Sequence, residues 1–101
     1  MSIDLQTKIV TATPYNVQSS DEVLFINVVG PASVVLPSTG NNDKCKRSFY
    51  IKDFTGLAKT TPITITSAGG KTIDGSAFAI LNVGYSHIQV IYDGTNWKII
   101  S

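Results

Sequence analysis

The sequence predicts an all-β chain, an antiparallel β-sandwich of jelly-roll-like type with about eight to ten short strands behind a short N-terminal arm. Three observations carry that prediction. Short runs rich in Val, Ile, Thr, Phe and Tyr recur at a spacing of about 8–12 residues, the rhythm of a sandwich or barrel. Turn chemistry separates them, at Gly30-Pro31, the Ser38–Asp43 stretch, Ala68-Gly69-Gly70, Asp74-Gly75-Ser76 and Asp93-Gly94. No stretch of useful length carries the helical period.

The elements follow in order. Residues 1–8 read as the arm and residues 9–101 as a single domain, with strand character setting in over Lys8–Ala12. Tyr15–Val17 follows Pro14. Glu22–Val28 is apolar at Val23, Leu24, Phe25, Ile26 and Val28, as a strand covered on both faces would be. Ser33–Leu36 comes after Gly30-Pro31 and stops at Pro37, which has no N–H for a ladder. Ser48–Lys52 sets Phe49 and Ile51 against Tyr50 and Lys52 on the opposite face. Asp53 and Gly56 then bracket a turn. Ile63–Thr66 alternates, with the isoleucines inward. Lys71–Ile73 and Ala77–Leu81 are brief strands around the Asp74-Gly75 turn. His87–Tyr92 places Ile88, Val90 and Tyr92 on one face and His87 on the other. Asp93-Gly94 turns the chain, Asp by bonding its own downstream backbone and Gly by opening the left-handed region. Trp97–Ile100 is the last strand, with Trp97 as the largest apolar group and the expected plug of the core. No internal repeat of 20–50 residues is visible.

Composition narrows the function. The 101 residues are 43% apolar and only 15% charged, below the roughly 25% charged of average domains. A small β domain with so little charge is expected to cover part of its surface with a partner. The net charge of +1 gives no electrostatic footprint for nucleic acid or an anionic membrane. No run of about 18 apolar residues offers a membrane span. The N-terminus lacks the basic start and apolar stretch of a signal peptide, so synthesis in a reducing cytoplasm is expected. The lone Cys45, flanked by Lys44 and Lys46-Arg47, excludes an internal disulfide; it reads as a loop thiol, or as one whose pKa the neighbouring cations lower. That basic run keeps a loop solvated or faces an acidic patch on a partner.

Reactive chemistry is sparse. The acids are Asp4, Asp21, Glu22, Asp43, Asp53, Asp74 and Asp93. Four of them (Asp43, Asp53, Asp74, Asp93) sit in turn contexts, where carboxylates bond backbone N–H groups, and nothing singles out two as a catalytic pair. His87 is the only histidine, and no Gly-x-Ser-x-Gly elbow accompanies it. One His and one Cys far apart supply no zinc spacing, so no metal and no cofactor is expected. Gly69-Gly70-Lys71-Thr72 lacks the first glycine and the following helix of a phosphate loop. The nine aromatic residues read as core or interface packing, or as a sugar-stacking platform.

Several phrases occur together in order: Tyr15-Asn16-Val17, Ser19–Leu24, Val34-Val35-Leu36-Pro37, Phe49–Ala58, Ile63–Thr66 with Gly69–Gly75, and Tyr92–Trp97. Taken together, Tyr15 to Ile100 resembles a small β domain of tailed-bacteriophage virion proteins, found as a module in tail fibres and spikes and alone as a head decoration protein. The resemblance implies a β-sandwich that assembles as a homotrimer, and no catalytic residues. The chain opens with Met1 and stops just after its final strand, so a free-standing subunit is expected rather than a piece of a long fibre.

The expected function is that of a capsid decoration, or cement, protein on the outer surface of a phage head, with the major capsid protein as partner. It is no enzyme in this reading. Met1–Lys8 is the expected attachment element, with Ile3 and Leu5 as apolar pegs and Lys8 beside them. The alternative is a tail fibre or spike module that recognises host glycan through exposed Tyr50, Tyr85 or His87. Closed symmetry would also cover the edge strands of so small a sheet protein.

Overall fold

The computed structural model describes residues 7–18, 21–37 and 48–101. Among these it has nine strands: β1 Thr7–Val10, β2 Tyr15–Asn16, β3 Val23–Ile26, β4 Ala32–Leu36, β5 Ser48–Asp53, β6 Ile63–Ser67, β7 Phe78–Leu81, β8 His87–Tyr92 and β9 Trp97–Ile99, with one 3-10 turn at Ala68–Gly70. The protein is all-β. The strands form a five-stranded sheet in the order β1-β3-β5-β8-β9 and a four-stranded sheet in the order β2-β4-β6-β7.

Up to β6 the chain alternates between the two sheets. Strands that return to the same sheet therefore run parallel, as β1–β3, β3–β5, β2–β4 and β4–β6 do. Only the last third folds back antiparallel, in β5–β8, β6–β7 and β8–β9. Both sheets are thus mixed, which corrects the expectation of antiparallel sheets. A parallel pair needs a crossover of about a dozen residues, commonly a helix. Here a strand of the other sheet is the crossover. Turn residues announce that the chain bends but not which sheet it enters, so a run of short strands looks like a meander.

The winding has a punctuation of its own. Pro14, Pro31 and Pro62 each stand immediately before a strand of the four-stranded sheet. The register Ala32↔Ile63 sets Pro31 level with Pro62. Proline lacks a ladder donor and holds its predecessor extended, so it suits the position just outside a strand. These three turns are a structural repeat that the sequence does not display as similarity, because the connections differ in length.

Inner-face residues of both sheets join one core. Leu24, Ile51, Val90 and Trp97 come from one sheet and Val34, Leu36 and Ile65 from the other, and all are fully buried. The alternation read in β5 and β8 holds: Phe49 and Ile51 are buried with Tyr50 exposed, and Ile88, Val90 and Tyr92 are buried with His87 exposed. In β3 only Leu24 and Ile26 are buried; Val23 and Phe25 are half-buried, so its second face is not fully covered. Lys71–Ile73 is not a strand. Asp74 and Gly75 both adopt positive φ, 51° and 81°, and reverse the chain at once. Ile73 is left with isolated bridges to Ser76 and Trp97.

Candidate functional site

Four turn and core features surround the sheets, and each begins with a side chain that the sequence singles out. Asp53 ends β5 on the inward side and is 2% exposed. Its Oδ1 accepts from Thr55 N (3.2 Å) and Thr55 Oγ1 (2.9 Å), and its Oδ2 from Ala58 N (3.1 Å) and Tyr85 N (3.0 Å). Burial pushes its carboxyl up, but the bonds from Tyr85, Ala58 and Thr55 together outweigh that and hold it below the usual carboxylate value. Asp53 thereby ties the loop after β5 to the loop before β8. Gly56 and Gly84 complete the junction. A Cβ on Gly56 would lie 2.5 Å from the Tyr85 ring, and one on Gly84 would lie 2.6 Å from the Gly56 carbonyl oxygen. Tyr85 itself takes φ 60°, which these contacts hold in place.

At the opposite turn, Asp93 Oδ1 accepts from Thr95 N (2.8 Å) and Asn96 N (2.9 Å), and so shapes the β8–β9 connection with Gly94. Asp74 Oδ1 accepts from Ile99 N (3.2 Å), which fastens the Asp74-Gly75 turn to β9. Trp97 is fully buried against Phe49 (5.6 Å between ring centroids) and Tyr92 (5.2 Å). Among the described residues its indole N–H has no hydrogen-bond partner. Pro37 follows the end of β4.

Sequence reasoning missed a further hub at Asp21. This buried carboxylate accepts from Tyr15 OH (2.6 Å) and Gln18 N (2.8 Å). Burial, the bond to Asp21 and that carboxylate's charge push the Tyr15 phenol above its ordinary range. The available signal was an Asp in the turn after a short strand, three residues beyond Gln18, where a side chain can accept from the backbone behind it.

The attachment residues fall differently. Ile3 and Leu5 lie outside the described residues, as does the run Lys44–Arg47 with Cys45. Lys8 is a β1 residue whose ammonium stands 5.8 Å from the centre of the Tyr15 ring. Lys8, Ile9, Tyr15 and the β1–β2 connection line a depression of about 220 Å³.

The two outer sheet faces differ. On the four-stranded sheet the outward positions are Asn16, Ser33, Val35, Thr64, Thr66, Phe78 and Ile80, as register and burial place them. None can ionise, and Phe78 and Ile80 are about half exposed on β7, which has a strand neighbour on one side only. On the five-stranded sheet the row Ile9–Phe25–Lys52–His87 runs across four strands, beside Val23–Tyr50–Gln89. Val23, Tyr50, Lys52 and His87 line a groove of about 310 Å³. The Tyr50 and His87 rings lie 6.4 Å apart, and the Lys52 ammonium donates to the Tyr85 carbonyl oxygen. The structure thus sets two of the three aromatic residues singled out for sugar stacking, Tyr50 and His87, in one groove with Lys52, while Tyr85 reaches that lysine only through its backbone carbonyl and turns its ring toward Gly56.

No protein-family model matches this chain, and no curated protein matches it. Among the described residues no three His, Cys, Asp or Glu side chains cluster to hold a metal, and no helix is long and apolar enough to cross a membrane.

Proposed function

We propose that this chain is a virion structural protein, a capsid decoration protein that binds the outside of a mature phage head as a homotrimer and stabilises it. The observation that carries the reading is the shape and surface of the molecule. It measures 37 × 37 × 22 Å, a plate about two sheets thick. That thickness and the shared core support a sandwich, with the mixed topology described above. On one broad face the described outward strand positions are all non-ionisable and include exposed Phe78 and Ile80, which suits contact with neighbouring copies because no like charges meet at those positions. The carboxylates of Asp21, Asp53, Asp74 and Asp93 are all engaged by backbone N–H groups, as expected of a scaffold.

The mechanism is linkage. A plate that bridges several shell subunits binds the mature lattice and not its separated parts, and so stabilises that lattice by mass action. Three copies acting together raise the avidity of individually weak contacts. On this reading the protein is made in the bacterial cytoplasm and resides on the outer capsid surface, with the major capsid protein as its partner and residues 1–8 as the attachment element.

The test is co-sedimentation of purified protein with isolated heads. The full chain sediments with expanded heads, and the chain lacking residues 1–6, which retains all of β1, stays in the supernatant while keeping its oligomeric mass. Failure of the full chain to bind expanded heads overturns the decoration reading. Undiminished binding by the shortened chain overturns the assignment of the attachment element.

A further inference from the structure

The groove on the five-stranded sheet goes beyond a structural tile. From its lining we infer that Val23, Tyr50, Lys52 and His87 form a binding site for a single sugar ring bearing a carboxylate, of the uronic or sialic acid class.

Size, shape and charge point the same way. At about 310 Å³ the groove lies at the low end of the roughly 300–1,000 Å³ typical of small-molecule sites, room for one ring rather than an oligosaccharide. It is open to solvent and is lined from three adjacent strands, so a flat ligand with one apolar face and one solvated face suits it. Tyr50 and Val23 are neighbours across the β3–β5 pair and offer an apolar floor for the C–H face of a pyranose. The His87 ring lies 6.4 Å from the Tyr50 ring, inclined to it by 39°, and extends this surface. Beside that largely apolar floor stand a few polar groups. His87 Nε2 lies 3.3 Å from Ser101 Oγ, and Gln89, level with Tyr50, has its carboxamide steadied by Ser48 Oγ at 3.1 Å. These are partners for ring hydroxyls.

Charge then selects among sugars. Among the described residues no acidic side chain lines the groove. Among the described outward positions of this sheet none is Asp or Glu, while Lys52, His87 and Lys98 are basic. The Lys52 ammonium is held at the groove by the Tyr85 carbonyl, a neutral partner, and no carboxylate pairs with it among the described residues. A ligand carboxylate supplies the missing counter-charge, and a charge-assisted bond is among the stronger single contacts available. Tyr85 is held in turn by Asp53 and Gly56, so the lysine is positioned by the loop junction described above. The other face, which meets neighbouring copies in the decoration reading, plays no part in this site.

The experiment is an amide-resolved NMR titration of the full chain with methyl β-D-glucuronide, methyl β-D-glucoside, sodium acetate and an acidic tripeptide. The glucuronide shifts the amides of Val23, Tyr50, Lys52 and His87 saturably, in the millimolar range. Lys52→Gln weakens it about tenfold, the worth of one charge-assisted bond, and leaves the weaker glucoside response unchanged. Tyr50→Ala removes both. Both side chains are on the outer face, so the spectra of the variants report directly that the fold persists. Absence of saturable shifts at the groove overturns the site. Equal affinity for glucuronide and glucoside overturns the role of Lys52, and acetate or tripeptide binding as tightly as glucuronide overturns the sugar. None of these outcomes bears on head binding, which fails or succeeds separately.

Discussion

Replacing Asp53 by asparagine isolates the junction between the two loops. The carboxylate takes four hydrogen bonds, two on each oxygen, at 2.9–3.2 Å. Asparagine has one acceptor oxygen. Its least costly placement keeps that oxygen toward Ala58 N and Tyr85 N and turns the amide nitrogen toward Thr55, whose hydroxyl can rotate to accept. Thr55 N then loses its partner, and two charge-assisted bonds become neutral ones. With about 1 kcal/mol for each of these three changes, the cost is about 2–3 kcal/mol. That is a large share of the roughly 5–15 kcal/mol available to a small domain. It corresponds to a fall in Tm of about 8–24 °C. Asp53→Ala abandons all three backbone donors and falls further.

The pH dependence gives the same junction a second readout. The carboxyl of Asp53 is held below its ordinary value of 3.8, so its folded pKa lies under its unfolded one. Such a group contributes its full stability above the unfolded value and loses it as pH falls through the folded one. Wild type therefore loses stability on acidification below about pH 4, and Asp53→Asn lacks that part of the loss. Urea unfolding at pH 7 and pH 3, followed by circular dichroism, measures both effects, and amide exchange at Ala58 and Tyr85 locates them. A variant within about 0.5 kcal/mol of wild type at pH 7, a value typical of surface changes, refutes the argument. An unchanged acid limb does so as well.

Other perturbations have equally definite outcomes. Gly84→Ala drives a Cβ against the Gly56 carbonyl and lowers stability by about 1–3 kcal/mol; Tyr85→Ala does not rescue it in denaturant titrations, whereas it partly relieves Gly56→Ala, whose clash is with the Tyr85 ring. Trp97→Ala costs about 3–5 kcal/mol. Trp97→Phe costs distinctly less, because it also removes a buried N–H that has no partner among the described residues, and chemical unfolding of the two variants ranks them. Phe78→Glu with Ile80→Glu on the outer face of the four-stranded sheet splits the proposed homotrimer into 10.8 kDa monomers in light scattering, with the circular dichroism spectrum unchanged; a trimer that persists removes that face from the subunit contact. Asp93→Ala loses two backbone bonds at the β8–β9 turn and costs about 1–2 kcal/mol in thermal melts.

What the sequence by itself determined was local. Most strand positions, the inward and outward faces of β5 and β8, and the turns at Asp53, Asp74-Gly75 and Asp93-Gly94 follow from period-two alternation and turn chemistry, which act within a few residues; Lys71–Ile73, expected as a strand, does not. Trp97 as core follows from its size and its place on the face of β9. Which strands become neighbours was decided only in three dimensions. Pairing Thr7 with Val23 and Val23 with Tyr50 depends on the chain crossing to the second sheet between them, and no residue on either strand encodes that crossing. The groove shows the same division. Tyr50 and His87 were visible as outward aromatic positions, but Lys52 had no role until the β5–β8 register set it opposite His87. The Asp53–Tyr85 bond, 32 residues apart in the chain, likewise exists because two loops meet at one end of the sheets. Short-range patterning fixes what each segment is, and long-range packing fixes what it touches, because a contact between distant segments depends on the whole fold holding both in place.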